Sequence, residues 1–163
     1  MKKFGLLLLG CCAAAFGTNV MAQSCSANAG TISATGNYSG NTCEAAGSTL
    51  AKACSNANTF NGAGVSIFQV NFGSPNNVTF TVTGAAFIPA IALIKATCSS
   101  STACIIDQSA ASGNTVAGST TGQTAGTYFL IVGDYDVDSP GCGAFNLAVT
   151  GTLPVSLQNF SVE

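Results

Sequence analysis

The chain contains no histidine, no tryptophan and no arginine. Without histidine it can build neither a Ser-His-Asp nor a Cys-His nucleophile, and it loses the commonest metal-binding side chain. Without tryptophan, and with three tyrosines, it has little aromatic surface on which sugars could stack. Its basic residues are Lys2, Lys3, Lys52 and Lys95, set against six acidic ones. Such a chain cannot neutralise a row of phosphates, so nucleic acid is excluded as a partner. Attraction of a polybasic segment to anionic lipid is excluded for the same reason. Charged residues make up 6% of the sequence, so solubility must rest on Ser, Thr, Asn and Gly. Repulsion between copies is then weak, which leaves self-association open.

What is present begins with an export pattern. Lys2 and Lys3 precede the apolar stretch "FGLLLLGCCAAAF" (residues 4–16), and Val20 and Ala22 are small residues suited to signal peptidase. Cleavage is expected after Ala22, leaving Gln23 first. The apolar stretch falls short of the roughly 20 residues that a spanning helix needs. A buried N-terminal helix is the plain alternative. "LLGC" (residues 8–11) also resembles a bacterial lipobox, which would make Cys11 a lipidated first residue. Processed at Ala22, the chain retains Lys52 and Lys95 as its cations and Cys25, Cys43, Cys54, Cys98, Cys104 and Cys142 as its cysteines. Six cysteines in an oxidising compartment predict three disulfides. The short polar loop "CSSSTAC" predicts a Cys98–Cys104 bridge, with the pairing of the other four open. If "CEAAGSTLAKAC" (residues 43–54) is helical, Cys43 and Cys54 stand roughly 16 Å apart along the axis. That exceeds the disulfide limit of about 7 Å, so each must bridge elsewhere. No CxxC pair supports zinc.

From residue 65 onward the pattern is β. "VSIFQVNF" places Phe68, Val70 and Phe72 on one face, with Val65 and Ile67 on the other phase, which predicts a bulge near Ile67. "NVTFTVTG" alternates, with Val78, Phe80 and Val82 inward, and "SPNN" (residues 74–77) predicts a hairpin between these runs. "AAFIPAIALI" is apolar on both phases, as for a strand covered on both sides, and Pro89 predicts an edge or bulge position. "TYFLIVG" predicts the most central strand, and "AFNLAVTG" places Phe145, Leu147 and Val149 inward. The small polar stretch between residues 109 and 126 reads as one weak strand with long turns. The fold class expected is all-β: an antiparallel β-sandwich with a short Cys-rich N-terminal segment. The expected divisions are a signal peptide (1–22), a Cys-containing segment packed on the sandwich (23–64), the sandwich (65–152), and a tail or last strand (153–163).

The runs "NVTFTVTGAAFIPAIALIKATC", "AGTYFLIVGDYD" and "GAFNLAVTG" together resemble the bacterial pre-peptidase C-terminal domain. The resemblance covers residues 65–151. It implies a jelly-roll-like β-sandwich that serves as a non-catalytic accessory module of secreted proteins. Many members carry acidic residues in the strand that corresponds to residues 87–94, which has none here. The tail "LPVSLQNFSVE" resembles a segment near the ends of some exported bacterial proteins. Leu153, Val155 and Leu157 alternate and suit a last strand, or a strand added to a neighbouring molecule.

Three carboxylates in "GDYDVDSPGCG", Asp134, Asp136 and Asp138, are candidate calcium ligands, with Asp107 as a further donor. An EF-hand is ruled out, because its glycine and glutamate positions hold Ser139 and Phe145. The preferred reading is a polar hairpin tip. "TLAK" (residues 49–52) offers Thr where a Ser-x-x-Lys dyad needs Ser, and few carboxylates remain to form a hydrolytic pair. The chain is therefore expected to be no enzyme. It is expected to be a secreted, disulfide-stapled accessory or binding module at the bacterial cell surface or exterior, needing no cofactor beyond the candidate Ca²⁺. Its partner would be a surface protein or glycan. The alternatives are a self-assembling subunit of a surface layer, matrix or fibre, and a carbohydrate-binding adhesin.

Overall fold

Strict alternation in residues 77–84 and 144–152 produces neighbouring strands of one sheet, apolar on its inner side and wet on its outer side. In the computed structural model the described residues are 27–44, 54, 60, 64–84, 86–95, 103–135 and 141–153. They form nine strands and no helix: β1 (Gly30–Ile32), β2 (Gly36–Asn41), β3 (Ser66–Phe72), β4 (Asn77–Gly84), β5 (Pro89–Lys95), β6 (Ile106–Ser109), β7 (Thr115–Thr121), β8 (Gly126–Asp134) and β9 (Ala144–Thr152). One sheet has the order β1-β3-β8-β5-β6 and the other β2-β9-β4-β7. All pairings are antiparallel except β1 with β3. The chain changes sheet at each step from β3 to β5 and again from β6 to β9, in jelly-roll-like fashion. The result is the all-β sandwich expected from the strand pattern.

The core lies between the sheets. Phe68, Val70, Ile91, Leu93, Leu130 and Val132 from one sheet meet Val78, Phe80, Val82, Phe145, Leu147 and Val149 from the other. Each such large side chain, taken fully out of water, contributes about 1.5–3 kcal/mol. Edge-to-face aromatic contacts bind the layers further, Phe145 meeting Phe68 at 6.2 Å and Phe87 at 6.3 Å.

The five-stranded sheet is buried on its outer face as well. There Ile67, Ala90, Ala92, Ile94 and Ile131 pack under Cys54 and Phe60. This second cluster explains why "SIFQV" is apolar on both phases. The pairing of β3 with β8 is continuous from Ser66↔Val132 to Phe72↔Gly126, so the bulge expected near Ile67 is absent. It also explains β5, of which every residue but Lys95 is buried. As expected β8 is central, but β5 is an interior strand flanked by β8 and β6, not an edge. Pro89 is accommodated because it is the first residue of the strand, and its carbonyl accepts from Ala110 N at 3.0 Å.

The hairpin expected between β3 and β4 is also replaced. The two strands lie in different sheets, and residues 73–76 form a corner between them. Asn76 holds that corner: its Nδ2 donates to the carbonyls of Gly73 and Gln123 at 2.7 Å each, and its Oδ1 accepts from Gln123 N at 3.0 Å. Residues 30–41, Gly-rich and polar, contribute the outer strands β1 and β2, one to each sheet. The tail beyond Leu153 lies outside the described residues, while Leu153 itself is buried in the core.

Candidate binding cleft at the disulfide-closed end

Asp134 ends β8 and is completely buried. Its Oδ1 accepts from Ile88 N at 3.1 Å and its Oδ2 accepts from Gly141 N. Tyr135 N donates to Ile88 O at 2.9 Å, so the end of β8, the start of β5 and the segment before β9 are tied at one point. A buried carboxylate that accepts backbone N–H groups forms charge-assisted bonds, roughly twice as strong as neutral ones.

Beside it, Thr42 is wholly buried and exchanges bonds with Gly143. Thr42 N donates to Gly143 O at 3.0 Å, and Gly143 N donates to Thr42 Oγ1 at 3.0 Å. The Cys43–Cys142 disulfide closes the same junction with Cα atoms 5.0 Å apart. Asn41 completes it: Cys43 N donates to its Oδ1 at 3.0 Å, and its Nδ2 donates to Glu44 Oε1 at 3.2 Å. Residues 41–44 are thus fixed as a rim on the second sheet.

Below that rim is an open cleft of about 600 Å³ lined by Ser39, Asn41, Glu44, Thr83, Asn114 and Asn146, with Phe145 in its floor. Register explains the grouping. Asn146 lies opposite Ser39 on β2 and opposite Thr83 on β4, and Thr83 lies opposite Thr115 on β7. Thr83 and Thr115 share a hydroxyl–hydroxyl bond of 3.3 Å. Gly40 lets the Phe145 ring approach closely, because a Cβ at that position would stand 2.4 Å from its Cζ and the ring would have to shift. A second cavity of about 370 Å³ adjoins on the other side of β2 and shares Ser39, Gly40, Asn41 and Glu44. Of the lining side chains among the described residues only Glu44 is charged.

The sequence-derived candidates fall as follows. Asp134 is turned into the protein and engaged by backbone donors. Asp136 and Asp138 lie outside the described residues. Asp107 is opposite Ala92 on one side of β5, whereas Asp134 is opposite Pro89 on the other. Three residues along a strand is about 10 Å, so the structure does not bring Asp107 and Asp134 together. Among the described residues no group of three or more carboxylates or cysteines is placed to hold a metal ion.

The Cys98–Cys104 bridge is corrected. Cys104 is joined to Cys54, with Cα atoms 5.4 Å apart. Cys54 is fully buried in the outer apolar cluster and Cys104 packs against that cluster, so burial sets the pairing and loop length does not. Cys25 and Cys98 lie outside the described residues. Sequence reasoning missed Thr42, Glu44, Asn114 and Asn146. Only Asn146 had a signal, its outward position in the alternation of β9.

No protein-family model and no curated protein sequence matches the chain. Among solved structures it is similar to the pre-peptidase C-terminal domain of a collagenase from Bacillus anthracis, which is the domain type the sequence resembles. That likeness has 17% identity and a TM-score of 0.46, and covers 74% of this chain and 93% of that one.

Proposed function

We propose that the chain is a secreted, disulfide-stapled and non-catalytic binding module that acts at the cell surface or exterior through the cleft above β2, β9 and β4. The observation that carries this reading is the Cys43–Cys142 bridge, which closes the rim of that cleft. Disulfides persist in oxidising compartments, which supports export. A rim held by a covalent bridge and by the bonds of Thr42 and Asn41 loses little freedom when it meets a ligand. The cleft offers hydroxyl and amide groups for recognition. Among the described residues the lining holds one carboxylate, Glu44, and no second one with which to divide acid and base roles.

The test is the intact mass of the exported protein, native and denatured, from medium and membrane fractions. A monomer beginning at Gln23 and six hydrogens lighter than its reduced form is expected, with Cys25 and Cys98 supplying the third bridge. A lipid-modified species beginning at Cys11 would move the module to the membrane surface. A chain retained inside the cell with free thiols would remove the reading.

One observation favours self-assembly as a second reading. Among the described strands β7 is an edge strand of seven residues, "TVAGSTT", with neither a charge nor a proline to block pairing with another molecule. If β7 pairs between copies, Ser119→Lys reduces a multimeric native mass to that of the monomer. A wild-type chain that is already monomeric would dismiss this reading.

A further inference from the structure

The four-stranded sheet has an outer face that the described residues leave open. Its strands β2, β9, β4 and β7 contain no charged residue, and their outward positions carry Ser, Thr, Asn and Ala. One row across the face, in register, is Ser39, Asn146, Thr83 and Thr115. Further along, Thr79 and Ser119 share a hydroxyl–hydroxyl bond of 2.8 Å. Neighbouring strands are about 4.8 Å apart, and side chains on one face repeat every 6.6–6.8 Å or so along each strand. The cleft opens onto one end of this grid.

This surface restricts its partner by chemistry. Among the described residues of this face no cation points outward for a polyanion, and no row of anions for a polycation. No exposed leucine, phenylalanine or tryptophan offers desolvation energy to an apolar partner. The aromatic and arginine anchors that dominate protein–protein contacts are missing from the outward positions of these strands, whose aromatic residues Tyr38, Phe80 and Phe145 turn towards the core. Covering the hydroxyls and amides without replacing their hydrogen bonds to water would be unfavourable. The partner must therefore be uncharged and must bring a comparable density of hydroxyl or amide groups.

Building on the binding-module reading, we infer that the cleft and the open face of the second sheet bind a neutral polysaccharide, with Asn146 at the centre of the contact. The amide of Asn146 both donates and accepts, and it stands between the Ser39 and Thr83 hydroxyls. Glu44, steadied by Asn41, accepts from sugar hydroxyls at the rim. A cleft of about 600 Å³ is within the usual size of ligand sites, and the grid beyond it receives the following units of the polymer.

The test uses the exported full chain and two insoluble neutral polysaccharides, cellulose and chitin, with soluble dextran and the anionic alginate as further probes. Saturable retention on a neutral polymer is expected, with the same affinity at low and high salt and no retention on alginate. Asn146→Ala should weaken retention about tenfold, as expected for the loss of about 1.4 kcal/mol of hydrogen bonding. Thr81→Lys, which sets a charge in the middle of the open face, should abolish it. Gln108→Ala, on the other sheet, should leave it unchanged. Each variant is first shown to melt with the wild type.

Absence of retention on all three neutral polymers would overturn the inference, as would retention that survives both Asn146→Ala and Thr81→Lys. A native mass of several copies that Thr81→Lys reduces to one would also overturn it, assigning the face to a second copy. The binding-module reading fails separately, on the compartment and mass of the wild type. An exported, bridged monomer that ignores these polymers would cost only the ligand class.

Discussion

Asp134 joins three segments at one end of the sandwich, and its removal should be costly. The side chain is fully buried and accepts from the backbone of Ile88 and of Gly141. Hydrogen bonds to a charged group contribute about 1.5–3 kcal/mol each. Asp134→Ala leaves both N–H groups without that acceptor, and allowing for partial relaxation of the segment before β9 the loss is about 3–4 kcal/mol. Asp134→Asn keeps one acceptor but sets an amide donor against a backbone donor, for about half that loss. A chain of this length loses roughly 3–5 °C of Tm per kcal/mol. Thermal unfolding should therefore show falls of roughly 10–15 °C for Ala and roughly half as much for Asn. Hydrogen exchange should accelerate at Ile88 and Gly141 while Val78 and Phe80, in the core of β4, keep their protection. If Asp134→Ala fails to fold, Asp134→Asn carries the test alone. A fall below about 3 °C in the Ala variant, or below about 1 °C in the Asn variant, would refute the reasoning.

Three other outcomes are expected. Gly151 has φ +100°, and a Cβ there would stand 2.1 Å from the carbonyl oxygen of Asn77. Gly151→Ala should therefore separate the ends of β4 and β9 and lower Tm by more than a surface Ala substitution does, by at least about 2 kcal/mol in denaturant titration. Replacing Cys43 and Cys142 together by Ser removes a crosslink across 99 residues of sequence. That should cost about 2–5 kcal/mol in the same titration and loosen the cleft rim. Calcium against chelator should leave Tm unchanged, because the Asp134 carboxylate is turned inward; a saturable rise of several degrees would instead assign a calcium site to Asp136 and Asp138.

Much of the sandwich was legible because alternation is a local property. Val78, Phe80 and Val82, and Phe145, Leu147 and Val149, face the core as their spacing predicts. What misled was local evidence that two arrangements share. A polar turn with proline between alternating runs looks the same in a hairpin and in a corner between sheets. Only the pairing of β4 with β9, some seventy residues away in sequence, decides for the corner. Ile67 suggested a bulge because a second apolar phase looks like a slip of register until the outer cover of Cys54 and Phe60 is known. The Cys54–Cys104 bridge follows from the same cover and from nothing in the spacing of "CSSSTAC". The strands β1 and β2, "GTI" and "GNYSGN", carry too few apolar residues to show a period. In the cleft, Thr83 and Asn146 were legible as outward positions. Asn41, Glu44 and Asn114 were not, since the ends and loops that place them are set by Thr42, Gly143 and the disulfide.

The two sheets divide the work, and the scarcity of charge gives that division its meaning. The five-stranded sheet is covered on both faces, so its central strands have no surface with which to meet a partner. The four-stranded sheet is covered on one face and, among the described residues, presents the other in an in-register array. A face of that kind on an ordinary surface would carry lysines and glutamates, which bring solubility and also a long-range field. Here the field is nearly absent, so a partner of this face would not be steered by charge and would have to be recognised through short-range hydrogen bonds. Such bonds contribute about 0.5–1.5 kcal/mol each after the competition with water. A useful affinity therefore needs many of them at once, over an extended contact. The repeated hydroxyls of β4 and β7 and the amides of Asn37, Asn41 and Asn146 can meet that requirement together, provided the strands keep their register and the rim stays in place. The disulfide at Cys43 and the buried carboxylate of Asp134 keep the rim in place. The covalent and ionic features of this chain thus act on geometry, and in the binding reading proposed above the neutral face they hold would make the contact.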